Sequence, residues 1–166
     1  MGVCGCGKST VGAALAREVG WPFLDADDFH PAANVEKMSR GEPLTDEDRW
    51  PWLDRIAGEL SVILARGGHA VLACSALKAA YRERIARAGD VRFVHLHGDY
   101  EKIAARLAAR QHRYMPPSLL ASQFAALEPP ADALRVDVGD SVDAQVAAIR
   151  RAYGLVQQAL EQPTDG

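Results

Sequence analysis

Gly2-Val3-Cys4-Gly5-Cys6-Gly7-Lys8-Ser9 opens the chain, followed by Thr10, and G-x-x-x-x-G-K-[ST] is the spacing of a loop that cradles phosphate. Its glycines let the backbone curl so that successive N–H groups face phosphate oxygens. The helix starting near Lys8 adds the positive end of its dipole. Lys8 would hold the β- and γ-phosphates and Ser9 would set its hydroxyl on Mg²⁺. The acids follow. Leu24-Asp25-Ala26-Asp27-Asp28-Phe29-His30-Pro31 puts carboxylates at the C-terminal end of a strand, the edge where open α/β sheets bind ligands. Phosphoryl transfer needs one carboxylate near the attacking hydroxyl and another near the metal. Asp25 and Asp27, two apart, face one side if strand geometry persists; a plain acidic cap for the next helix is the simpler reading. Arg49, Lys78 and Arg82 are three cations aimed at one cleft, which suits an anionic, hydroxyl-rich acceptor. Each alone also reads as a solvated surface charge.

Those residues need a frame to hold them. Short apolar runs at 22–25, 69–74, 91–97 and 134–138 suit buried parallel strands. Helical segments are expected at 8–19, 31–39, 51–66, 77–88, 100–110, 117–127 and 142–160. Val142, Val146, Ile149, Tyr153, Val156 and Leu160 form one apolar stripe on the last of these. Strands alternating with helices predict a single three-layer α/β domain over 1–166 with a parallel sheet. A phosphate loop ordinarily follows a buried strand, and only Met1 precedes Gly2. The sheet is therefore expected to lack a central member, with pairing lost on both sides. A start assigned too late, with about five or six apolar residues encoded upstream, is the expected reason.

The 166 residues are 48% hydrophobic and 25% charged, a globular balance that excludes a disordered tail or fibre. A formal charge of -3 makes no case for nucleic acid or an anionic membrane. No apolar run approaches the roughly 20 residues of a membrane span. No signal segment is apparent, and three cysteines are an odd count, so a reducing cytoplasm is expected. A helix N-terminus lowers a thiol pKa, which would make Cys4 and Cys6 oxidation-sensitive; small size alone also explains them. His95 and His97 read as packing residues.

The set GVCGCGKST, LDADDFHP with Asn34 and Lys37-Met38, GEPLTDEDRWPWL, CSALKAAYRE, LHGD and MPPSLLASQFAALEPP resembles the bacterial gluconokinase family. The likeness runs in order from Gly2 to about Asp137 and spans most of the chain. It implies a shikimate-kinase-like P-loop NTPase fold, Mg²⁺-dependent transfer of the ATP γ-phosphate to the 6-hydroxyl of D-gluconate, and a homodimer. Carried over by resemblance, residues 2–10 bind ATP and residues 25–53 form the acceptor segment. Lys8, Asp27, Asp25 and Arg110 are the catalytic residues. Asp27 orients or deprotonates the 6-hydroxyl, while Asp25, with Ser9, lies nearer the metal. His30, Arg49, Lys78 and Arg82 bind gluconate. Arg106, Arg110 and the segment 111–117 supply the hinge and lid over ATP. The sequence departs from the family in having Cys4 and Cys6 where serines are usual, and in its lid sequence Arg110-Gln111-His112-Arg113-Tyr114-Met115. The alternatives are a kinase for another small hydroxy acid, such as shikimate, or a nucleotide-binding module inactive through truncation.

Overall fold

The computed structural model describes residues 1–109 and 117–155. Seven helices and four strands alternate among them: α1 Lys8–Val19, β1 Phe23–Asp25, α2 Ala32–Ser39, α3 Asp46–Ala65, β2 Val71–Ala73, α4 Ala79–Ala86, β3 Val94–His97, α5 Tyr100–Ala109, α6 Pro117–Ala126, β4 Leu134–Asp137 and α7 Val142–Tyr153. All strand pairing is parallel, as an alternating α/β chain requires.

Residues on β2 and β3 alternate between two apolar clusters. Val71 and Val94 join Val11, Leu15, Val136, Val146 and Ile149 on the side of α1 and α7. Leu72 and Phe93 join Trp52, Leu53, Ile56 and Ile85 on the side of α3 and α4. One sheet layer is thus sandwiched between two helical layers. Gly12 allows α1 to sit close on the sheet, since a Cβ there would stand 2.8 Å from the Phe23 ring.

The sheet is split, as the sequence leads one to expect. β1 pairs with β2 and β3 with β4, and no ladder joins β2 to β3. The bridge between the halves is short: Gly2 N donates to Ser75 O at 3.2 Å, and Leu96 N to Met1 O at 3.0 Å. Beyond it lies a cavity of about 430 Å³ whose wall includes Leu15, Leu60, Leu72, Phe93 and Val94.

Three element boundaries differ most from the sequence reading. α7 ends at Tyr153, capped by left-handed Gly154, and not at 160, and the expected stripe residues Val156 and Leu160 lie outside the described residues. α3 starts at Asp46, not at Pro51, so Pro51 lies inside the helix. Thr45 closes a reciprocal capping box with Asp48, and that gain offsets the backbone hydrogen bond a second-turn proline cannot make. Pro31 stands just before α2 rather than in its first turn. His95 is buried on β3 with Nδ1 unpartnered. Burial foremost, then the amino terminus and the charges of His97, Arg135 and Arg82, hold its pKa down to about 4.

Candidate active site

Left-handed glycines shape the phosphate loop. Gly5 and Gly7 have φ of 78° and 99°, a region that L side chains avoid. Gly7 is the N-cap of α1, so the loop runs directly into the positive end of that helix. Two helices pack on the loop. A Cβ on Gly5 would sit 2.6 Å from Leu107 Cγ on α5, and Cys4 N donates to Gln123 Oε1 of α6 at 2.6 Å. Lys8 folds back so that Nζ donates to Val3 O at 3.0 Å. Cys6 is buried and Cys4 half-buried. Burial pushes the Cys4 thiol up despite Lys8 nearby, a direction that favours the small-size reading of Cys4 over an oxidation-sensitive thiol.

The acceptor acids leave β1 by a turn. Asp25 ends the strand and caps the 3-10 turn Ala26–Phe29. Its Oδ2 accepts from Ser9 Oγ at 2.9 Å, while Oδ1 accepts from Asp27 N at 3.1 Å. Asp25 and Asp27 are therefore neighbours through the turn, not through strand alternation, and capping and placement come from one contact. Burial first, then the charge of Asp25, raises the Asp27 pKa; His30 and Lys8 pull the other way.

His30 stacks on Trp52 with ring centroids 4.3 Å apart. Trp52 is itself pinned by Nε1 donating to Ala26 O at 2.6 Å. Burial lowers the His30 pKa, and its Nδ1 lies 3.4 Å from Asn34 Nδ2. Asn34 also donates to Asp48 O at 2.9 Å, which ties α2 to α3.

Arg49 and Lys78 do converge, on Asp46. Lys78 Nζ donates to the two Asp46 oxygens at 2.9 and 2.7 Å, and Arg49 Nη1 lies 3.7 Å from Oδ1. Tyr81 Oη donates to the same oxygen, and both cations lie over the Tyr81 ring. Hydrogen bonds from Lys78 and then Tyr81 lower the Asp46 pKa. Arg82 behaves differently. It is buried, and its Nη1 donates to Ala76 O and Leu77 O at 3.0 Å each. It thus braces the loop after β2, where Ala76 has φ of 42°, instead of opening into the cleft.

Arg106 lies in the last turn of α5, beside the Leu107 that packs on the loop. Arg110 and the expected lid residues 111–116 lie outside the described residues. Asp46, Tyr81 and Gln123 were missed by sequence reasoning. Asp46 stands in the motif containing Arg49, three residues apart on one helix face, and that i,i+3 spacing was the available signal.

Ser9 and Asp25 are hard oxygen donors in contact. Mg²⁺ is commonly held by one or two protein oxygens together with water and substrate phosphates, so this pair fits it. No group of three His, Cys, Asp or Glu suited to a metal occurs among the described residues.

A family model for shikimate kinase matches residues 4–123. A probable gluconokinase of Xenopus tropicalis is 44% identical over 168 residues, covering 90% of this chain and 88% of the relative. The thermosensitive gluconokinase of Escherichia coli (strain K12) is 41% identical, covering 95% and 87%. The crystal structure of a gluconokinase from Sinorhizobium meliloti 1021 superposes with a TM-score of 0.82 at 40% identity, covering 93% of this chain and 92% of that one.

Proposed function

The chain belongs to the gluconokinase family, within the shikimate-kinase group of P-loop kinases, and on that premise we propose that it transfers the γ-phosphoryl group of ATP to the 6-hydroxyl of D-gluconate. The observation that carries the reading is the double use of Asp25, which ties Ser9 of the phosphate loop to the backbone of Asp27. That contact fixes the distance between the phosphate site and the acceptor acid. Positioning and charge stabilisation are most of what phosphoryl transfer asks of a protein.

The loop at 2–10, through the helix-start N–H groups of Lys8, Ser9 and Thr10 and the Lys8 ammonium, binds the phosphates of ATP, while Gly2 N and Cys4 N are engaged by Ser75 O and Gln123 Oε1 and hold the loop's shape. Ser9 and Asp25 would hold Mg²⁺, which supplies neutralisation of charge on the phosphate oxygens. Asp27 accepts the proton of the 6-hydroxyl; its raised pKa makes it a stronger base than an ordinary aspartate. His30, kept neutral by burial, hydrogen-bonds the acceptor's hydroxyls. Arg49 and Lys78 hold the carboxylate end. Arg82 acts on the acceptor through the loop it braces. Arg106 and Arg110 contact the nucleotide, with Arg110 and the lid closing to exclude water. A homodimer working in the cytoplasm completes the reading.

ADP release is measured with D-gluconate, with shikimate and without acceptor. Turnover should require gluconate and fall by orders of magnitude in Lys8→Ala. Equal rates with shikimate would sink the substrate assignment.

A further inference from the structure

Two cations facing one acceptor carboxylate would leave a site with an excess positive charge, yet this site holds an internal anion. Asp46 sits at the start of α3 with Thr45 as cap, and its carboxylate takes hydrogen bonds from Lys78 and Tyr81 with Arg49 alongside. Buried Tyr81 is only 4% exposed, so it serves the carboxylate from behind while the cations remain a third exposed, at 29% and 34%. Other charges stand near these elements, and Glu47, next to Asp46 on α3, is exposed. Lys37 pairs with Asp48 at 2.6 Å, and Glu128 Oε2 accepts from Ala79 N at the start of α4 at 2.6 Å. The three groups in contact, Arg49 and Lys78 less Asp46, carry a net single positive charge.

We propose that Asp46 is a specificity-determining residue, whose charge matches the site to a monoanionic carboxylate and disfavours a dianionic phosphoryl group at the same position. The proposal rests on the reading above that Arg49 and Lys78 hold the acceptor's carboxylate end. Electrostatic complementarity of this kind discriminates more than it strengthens. A carboxylate approaching the two cations meets repulsion from Asp46 once. A phosphate monoester, carrying close to two charges at neutral pH, meets it nearly twice. Asp46 also fixes the geometry of both cations, so removing its charge alters two things. Loss of geometry weakens every anion alike; loss of charge changes their ranking.

The test is calorimetric binding of D-gluconate and of an open-chain hexitol monophosphate, which puts a phosphate in place of the carboxylate, to wild type, Asp46→Asn and Asp46→Glu. The readout is the ratio of the two dissociation constants. In Asp46→Asn the ratio should move toward the phosphate ester by roughly five- to ten-fold, whatever happens to absolute affinity. Asp46→Glu, which keeps the charge, should stay near the wild-type ratio, as should Asp90→Asn, which removes an exposed charge paired only with Arg92. An unchanged ratio in Asp46→Asn, or an equal change in Asp90→Asn, overturns the proposal. Gluconate turnover by wild type is measured alongside: its absence would overturn the kinase reading itself, whereas an unchanged ratio with turnover intact overturns only the role of Asp46.

Discussion

At the scale of single residues, Asp27 is held in a state that costs the fold something. Its pKa is raised mainly by burial and by Asp25, so its ionised form is disfavoured in the folded protein relative to the unfolded one. It must be ionised to accept a proton. The acidic limb of kcat/KM for gluconate should therefore fall at a pH above that of an ordinary aspartate, and Asp25→Asn, which removes the charge next in importance, should move that limb to lower pH. A limb unmoved by Asp25→Asn would detach Asp27 from it. Asp27→Asn should lower kcat by about 10²–10⁴-fold while melting no lower than wild type, because a neutral amide relieves the desolvation strain. The types of these residues were legible in the sequence, and the structure brings Asp25 to Asp27 and Arg49 with Lys78 to Asp46. Their partners were not. Whether a lone cation faces a cleft or a carbonyl depends on backbone direction, which is why Arg82 was assigned to the acceptor and is found bracing Ala76 and Leu77.

At the scale of elements, α3 carries the acceptor end by its first turn. Thr45 accepts from Asp48 N while Asp48 Oδ2 accepts from Thr45 N, and Lys37 and then Thr45 hold the Asp48 pKa down to about 2. Thr45→Ala should cost about 1 kcal/mol of stability, read by denaturant unfolding. Because Asp46 and Arg49 occupy that same turn, it should also raise KM for gluconate while leaving KM for ATP near the wild-type value. Equal rises would mean that the turn does not position the acceptor side. The starts of the helices from 8, 100, 117 and 142 were legible from apolar spacing, while the end of the last at Gly154 was overrun. The start of α3 was hidden by Pro51, which reads as a first-turn residue until the capping box upstream is weighed against it. The contact of Leu107 over Gly5 was beyond reach of the sequence, since it joins residues about a hundred positions apart through tertiary packing alone.

At the scale of the whole molecule, the two half-sheets are spanned by shared helices. β1 and β2 lead to the acids at 25–28 and to the loop braced by Arg82 and also carry α1, seated by Gly12 on Phe23, while β4 packs against α7. Apolar strand runs alternating with helical segments made the layers predictable. What could not be foreseen is that a single peptide unit, between Met1 and Gly2, would receive and donate the hydrogen bonds bridging both halves. The division carries a consequence for how the amides trade protons with solvent. In an unbroken parallel sheet the innermost strands are the last to exchange, because both edges are paired. In this molecule β2 and β3 are innermost by position, yet each is laddered on one edge only. Deuterium should enter their other inward-facing amides sooner than those of Leu96 on β3 and of Gly2, leaving slow exchange concentrated at the bridge beside the phosphate loop.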